Sequence, residues 1–507
     1  MLLCADKKGF ITTSKLGLLL ALLFFLFHLI GLTRHSFWTD ELITYGTATL
    51  PVEELIKNRL KGGYSPFYFI FIKYWGRLLG YSEWTMRFPS VVFATLSFLS
   101  FFFLSKKFIT DKRIFIIAIT LFFFHPFVFW ASQEARMYSL LLFISILSSY
   151  IYLLFINDGK TYHLVIYSLT VLFGINSHVL FFLQIIVHTV YLLIYHRRLW
   201  FKFFLGISAP LLVLLPVFLF YTSMIDKQIL GMKLSIVNPG VPLKRMAYIA
   251  MGDPNISLLN CESLKTVINV FIFSFFIIFV LSSIIYFNKL IKTSIPPAQK
   301  QISHHSFDFC YNEFQLLRFS FYWAGIPVLL IYLFAVLIYN RIGFTRYYII
   351  TLPPIIIIIA IGYIGLKKNL LSNMVRFLFV ITFLTILILQ LIWRGPGVRE
   401  AVNFLKENYR EKDGVIFCGD GSLRHSFSLY DGENIVRVGI SRDFKSKKLL
   451  LVKVEEFTKG KERVWVMLYR DNESPLNSLL KEYPKIFRNF FEQKIREVKI
   501  QGFEVMR

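Results

Sequence analysis

Adjacent carboxylates Asp40-Glu41, within Ser36-Phe37-Trp38-Thr39-Asp40-Glu41-Leu42, follow directly on the first long apolar run. Two carboxylates side by side at a membrane edge are costly unless solvated or partnered. They read either as the acidic first turn of a capped helix or as a base able to take a proton from a nucleophile. Glu134, in Ser132-Gln133-Glu134-Ala135-Arg136, is a second acid, with a local ion pair to Arg136 or Arg87 as its alternative. His178, in Asn176-Ser177-His178, reads as a capped helix end or as an accessory to chemistry. Arg346-Tyr347-Tyr348, ahead of Pro353-Pro354, places a cation where it opposes a helix dipole, so its retention needs a partner. A phosphate held by the guanidinium fork is one candidate; an ordinary lipid headgroup is the other.

Composition sets the scale on which these groups act. Of 507 residues, 56% are hydrophobic and only 17% charged, against about 25% in a soluble domain. Many apolar runs approach the roughly 20 residues that cross a bilayer as helix. The formal charge of +25 would suggest nucleic acid in a soluble chain. Here many basic residues sit in short links between apolar runs, which signals topology and contact with anionic membrane lipids. Nucleic acid is excluded as a partner on that pattern. Cys4, Cys261, Cys310 and Cys418 form no CxxC pair, which excludes a zinc ribbon or disulfide framework.

These patterns predict an all-α polytopic membrane protein with a small C-terminal α/β domain. About eleven spans are expected, at 15–32, 87–105, 114–130, 138–156, 162–177, 179–195, 203–221, 266–287, 318–339, 347–365 and 377–393. A cytoplasmic N-terminus puts Lys106-Lys107, Lys112-Arg113, Arg197-Arg198, Lys289, Lys292 and Lys367-Lys368 inside. The short outer links then carry only Arg136, Arg341 and Arg346, as the positive-inside rule requires. Pro66–Leu79 is too short to span and is expected as an interfacial or re-entrant helix within an outer loop at 33–86. A second outer loop covers 223–265. The domains expected are 1–393 in the membrane and 394–507 outside it, with helices over 398–408 and 475–491 and strands at 415–418, 464–468 and 499–506.

On this topology the fourteen acids of the first 393 residues divide unevenly. Nine fall outside: Asp40, Glu41, Glu53, Glu54, Glu83, Glu134, Asp226, Asp253 and Glu262. None falls mid-span, which weakens the rival reading as a lipid-linked-sugar flippase or transporter. Glu53, Glu54 and Glu83 read as solvated surface.

Five segments carry a resemblance: Phe37-Trp38-Thr39-Asp40-Glu41, Tyr64-Ser65-Pro66-Phe67-Tyr68, Ser82 to Ser90, Ser132 to Tyr138, and Arg346-Tyr347-Tyr348. In order and side of the membrane they resemble the GT-C superfamily of membrane glycosyltransferases, in the bacterial branch of protein O-mannosyltransferases and aminoarabinose transferases. The resemblance implies an inverting transfer of a hexosyl or pentosyl group from a polyprenyl-phosphate-sugar donor. The acceptor would be a hydroxyl or amine on protein, glycolipid or glycan, at the outer face of the cytoplasmic (inner) membrane. By carry-over Asp40 is the general base, with Glu41 its companion and Glu134 the acid of the second outer loop. Arg346, with Arg87, Lys73 and Tyr347, would bind the donor phosphate; His178, Tyr64 and Arg136 would be accessory. The family often has His-Pro-Pro or Lys-Pro-Pro where this chain has Tyr64-Ser65-Pro66, so the donor-phosphate or acceptor contact of that cation would be absent, or supplied instead by Lys61, Lys73 or Arg87. No cofactor is certain. A divalent metal stays open, with His35, Asp40, Glu134 and His178 as the side chains that could supply ligands.

Overall fold

The computed structural model describes residues 7–224, 240–252, 262–294, 304–337, 345–393, 395–419, 423–430, 434–441, 447–469, 476, 482–483 and 486–506. Asp226, Asp253, Arg341, Cys4, Cys261 and Pro296-Pro297 lie outside the described residues. The helices run α1 (Lys7–Leu29), α2 (Thr39–Ala48), α3 (Val52–Lys61), α4 (Phe67–Leu79), α5 (Glu83–Phe108), α6 (Lys112–Phe123) and α7 (Pro126–Ser132). Then come α8 (Tyr138–Asp158), α9 (Thr161–Ser177), α10 (Phe181–Tyr195), α11 (Trp200–Met224), α12 (Gly240–Met251), α13 (Glu262–Ser294) and α14 (His304–Leu337). A 3-10 turn, Thr345–Thr351, leads into α15 (Leu352–Gly365), followed by α16 (Leu370–Ile392) and α17 (Val398–Asn408). The tail adds β1 (Asp413–Gly419), α18 (Arg424–Leu429), β2 (Arg437–Ser441), α19 (Lys447–Thr458), β3 (Arg463–Tyr469), β4 (Phe487–Ile495) and β5 (Val498–Val505).

The chain forms two compact units. One comprises Met1–Ile30, Ile56–Tyr68 and Pro89–Ile392; the other gathers Gly31–Leu55, Phe69–Phe88 and Trp393–Arg507. In the first, among the described residues, six helices are long and apolar enough to cross a bilayer, and α6 with α7, bent by 42°, makes a seventh. The eleven apolar runs of the sequence fall largely on helices. However, α9 and α10 have 17 and 15 residues, about 25 Å and 22 Å at 1.5 Å per residue, short of a 30 Å hydrocarbon core. Leu18, Leu205, Ile285 and Phe377 are 59%, 64%, 67% and 64% exposed. Apolar side chains displayed on so many helices face hydrocarbon, not water.

Small residues let the central helices approach. A Cβ on Gly362 of α15 would lie 2.1 Å from the Phe279 carbonyl oxygen of α13, and Ser282 Oγ donates to the Gly362 carbonyl at 2.8 Å. Such close backbone contact is how helices associate where burial from water supplies no drive. His188 of α10, fully buried, is satisfied within the bundle: Tyr167 Oη meets Nδ1 at 2.8 Å and Ser149 Oγ meets Nε2 at 3.2 Å.

In the second unit the sheet has the order β2-β1-β3-β5-β4. β2 and β3 flank β1 in parallel, while β5 is antiparallel to both β3 and β4. Strand-helix-strand crossovers through α18 and α19 enforce the parallel part, and the two-residue link Arg496-Glu497 closes the hairpin of β4 and β5. Val398, Ala401, Val402 and Leu405 line the buried face of α17, as its spacing predicts. The helix expected over 475–491 is corrected at its end: Phe487–Phe491 belongs to β4, paired along β5 with a register shift between Asn489 and Phe491. That irregularity breaks the alternation by which a strand is recognised.

Asp413 anchors this fold. It is 1% exposed and accepts from Arg463 Nε at 3.0 Å, Arg463 Nη2 at 2.6 Å, Trp465 Nε1 at 3.0 Å and the Arg410 N–H at 3.0 Å. Hydrogen bonds to a charged group contribute about 1.5–3 kcal/mol each when lost singly. Asp413→Ala is expected to lower the protection of β1 and β3 amides to hydrogen exchange by at least that amount; wild-type protection would assign the fold's stability elsewhere.

Candidate functional site

The sequence-predicted residues fall into both units, and each unit builds its part from its own elements. In the second, Asp40 and Glu41 occupy the first turn of α2, where negative charge suits the helix dipole. Asp40 is half-exposed, whereas Glu41 is fully buried. Glu41 reaches back to the Trp38 N–H at 3.4 Å, which is the carboxylate half of a capping box. It also meets Arg87 two-pronged, Nε to Oε1 and Nη2 to Oε2 at 2.7 Å each.

Arg87 is itself fully buried. Its Nη1 donates to the Leu32 and His35 carbonyls at 2.6 and 2.9 Å, and its Nη2 meets His35 Nδ1 at 3.0 Å. A guanidinium only donates, so Nδ1 accepts and the neutral ring carries its proton on Nε2. Burial, reinforced by the Arg87 charge, holds the His35 imidazole well below its usual range. All five N–H groups of Arg87 are thus directed at partners in its own unit. Arg87, expected to bind donor phosphate, directs its donors at Glu41, Leu32 and His35. Lys73 is also turned inward, its Nζ donating to the Ala48 carbonyl at 3.2 Å and to the Leu50 carbonyl, where it closes the C-terminal end of α2.

Glu83 differs from its sequence reading. Glu53 and Glu54 are exposed, but Glu83 is 6% exposed and bound by Tyr430 and Arg399. One turn separates Glu83 from Arg87, so both project from one face of α5. Pro89 has no N–H to give the Thr85 carbonyl, and the Trp75 indole N–H donates there instead at 2.8 Å.

In the first unit the second acid lies in the turn after α7. Glu134 is fully buried and Arg136 is 3% exposed. Ser90 Oγ donates to the Glu134 carbonyl at 2.6 Å, and Gln133 Nε2 donates to the His28 carbonyl at 2.6 Å. These bonds fix the turn from α5 and α1. Tyr64 lies between two guanidiniums, Arg59 at 5.8 Å and Arg136 at 5.9 Å from its ring, and neighbouring Ser65 Oγ donates to the Asn176 carbonyl. The Tyr64 segment therefore sits at the turn bearing His178.

His178 Nδ1 accepts the Leu180 N–H at 3.1 Å, which leaves its proton on Nε2. That atom is buried and has no hydrogen-bond partner among the described residues. Burial, then the charges of Arg136 and Arg346 beside it, pushes the imidazole down to about 3, so the ring is neutral at any working pH. Arg346 stands over the ring of Tyr347 at 5.6 Å in the turn before α15, and Arg245 Nη1 donates to the adjacent Thr345 Oγ1 at 3.1 Å. The first unit thus brings Arg136, Arg346, His178 and Tyr64 together. Sequence reasoning missed Arg59 and Arg245, which lie inside segments read only as outer loops. Among the described residues no three His, Cys, Asp or Glu side chains converge as metal ligands.

No family model matches the chain, and no curated protein matches it. Among solved structures it is similar to ArnT from Cupriavidus metallidurans bound to undecaprenyl phosphate, at 13% identity over 98% of both chains with a TM-score of 0.49. It is similar also to the apo state of that protein, at 11% identity over 98% of both chains with a TM-score of 0.48.

Proposed function

We propose that this chain is a GT-C type glycosyltransferase of the cytoplasmic membrane that moves a sugar from a polyprenyl-phosphate donor to an acceptor at the outer face. The observation that carries it is the arrangement around His178. A buried, neutral imidazole with an unpartnered Nε2–H lies beside Arg136 and Arg346. One fixed N–H donor and two guanidiniums make a cradle for phosphate oxygens. The sequence resemblance supports the sugar on that phosphate and assigns Asp40, half-exposed on α2, as the base.

In the transfer the acceptor oxygen or nitrogen attacks the anomeric carbon as the bond from that carbon to the phosphate oxygen breaks. The configuration inverts, the electron pair leaves with the phosphate, and the acceptor proton passes to the Asp40 carboxylate. Charge grows on the phosphate oxygens, where Arg346 and Arg136 offset it. Glu134 favours the positive charge that develops on the sugar ring. Tyr64 and Tyr347 carry the guanidiniums on their ring faces.

Purified protein in detergent is expected to transfer sugar from a panel of polyprenyl-phosphate hexoses and pentoses. Transfer without two compartments also separates an enzyme from a flippase. Arg346→Ala is expected to raise the donor KM by roughly tenfold to a hundredfold, the loss of a charge-assisted bond of about 1.5–3 kcal/mol. An unchanged donor KM would remove the phosphate from this cluster.

A further inference from the structure

We propose that the C-terminal α/β tail is a positioning element for Asp40, acting through a clasp of Tyr430, Glu83 and Arg399 on the segment before α2. It rests on Asp40 being the base of the proposed transfer. Three tail residues, Val398, Arg399 and Tyr430, converge on the five-residue segment Thr33–Phe37.

Tyr430, at the end of α18, accepts the Phe37 N–H at 2.8 Å and donates its own O–H to Glu83 Oε1 at 2.7 Å. Arg399 of α17 donates through Nη1 to Glu83 Oε2 and to the Thr33 carbonyl, the latter at 3.1 Å. The Val398 N–H, at the head of the same helix, donates to the fully buried Ser36 Oγ at 2.9 Å. Three tail residues thus hold Thr33, Ser36 and Phe37, and Thr39 begins α2 two residues later.

The first two turns of α5 work at both ends of this segment. Glu83 receives the tail, and Arg87 takes Glu41 beside Asp40. Further along, α18 lies against α2: Tyr45 Oη meets Ser428 Oγ at 3.2 Å. The His425 ring packs so closely on Gly46 that a Cβ there would fall 2.3 Å from Nε2. Only glycine admits that approach. With its lead-in and its flank both gripped, α2 has one seat, and the backbone of that helix carries Asp40 to its place. A general base must lie within hydrogen-bond reach of the proton it takes, and a misplacement of about 1 Å can cost a hundredfold in rate.

The test uses the full chain in detergent, comparing wild type, Tyr430→Phe, Glu83→Gln and Asp40→Asn. Hydrogen exchange reads the 37–44 amides, and kinetics read kcat per site titrated with polyprenyl phosphate. In Tyr430→Phe, exchange at Phe37–Thr44 is expected to accelerate at least about tenfold, and kcat per site to fall by roughly tenfold to a hundredfold, with donor KM within about twofold. Glu83→Gln, which keeps an acceptor for the tyrosine but presents an N–H to Arg399, is expected to fall between, and it covers a failure of Tyr430→Phe to fold. Wild-type exchange in both variants overturns the clasp. Faster exchange with unchanged kcat overturns the positioning role, as does a loss of donor affinity in step with kcat. Full activity in Asp40→Asn is instead a failure of the base assignment, and exchange alone then decides the clasp.

Discussion

Asp40→Asn is expected to abolish sugar transfer, by at least about a thousandfold, within the range that removal of a general base produces, while the protein inserts, purifies and unfolds as wild type does. The two halves of this expectation come from different observations. Asn matches Asp in shape and is tolerated in a first helical turn, where the lost dipole interaction amounts to about 0.3–1 kcal/mol at a partly exposed site. Asp40 is partly exposed in the first turn of α2, whereas Glu41 beside it is fully buried. Transfer hinges on the Asp40 carboxylate, because an amide cannot take the acceptor proton as the anomeric bond breaks. The measurement pairs transfer from a polyprenyl-phosphate sugar with thermal unfolding of the same preparation. Wild-type rates in a normally folded Asp40→Asn would place the base elsewhere, and Glu134 would be the next residue to test.

How much of this was legible in the sequence differs between the two units for a physical reason. Membrane helices announce themselves by apolar length, and the segments between them hold Asp40, Glu134, His178 and Arg346 at short range from an apolar run. Partnership across long separations leaves no such trace. Tyr430 meets Phe37 across 393 positions, and no local pattern could mark it. Glu83 looked like surface because charged residues at helix starts usually are; its burial follows only once Arg399 and Tyr430 arrive. The strand β4 was read as helix because a register shift at Asn489/Phe491 spoils its period of two. Arg87 entered as a phosphate ligand through the resemblance, and only the geometry shows that its N–H groups meet Glu41, Leu32 and His35.

That commitment sets the largest expected effect on stability. Glu41 and Arg87 have fully buried side chains and share a two-pronged bond. Removing one member of such a pair leaves the other's charge buried without its counterion and typically costs about 3–5 kcal/mol. Arg87→Leu is therefore expected to lower the local stability of the 32–42 segment by about that amount. Protection from hydrogen exchange of the Leu42 N–H, which bonds the Trp38 carbonyl at 2.9 Å, reads it directly. Arg87→Lys keeps the charge but loses the fork that serves Glu41, Leu32 and His35 together, so it recovers only part of the protection. The double replacement Glu41→Leu with Arg87→Leu strands no carboxylate and is expected to be milder than Arg87→Leu alone, since apolar substitutes of similar volume often match a buried ion pair. Catalysis separates the variants in another way. Arg87→Leu and the double variant both lose the anchor beside Asp40, so both are expected to lose kcat, while donor KM, set by Arg346 and Arg136, stays near wild type. A double variant as unstable as Arg87→Leu would mean that the carbonyls of Leu32 and His35, rather than the Glu41 carboxylate, are what the guanidinium chiefly holds.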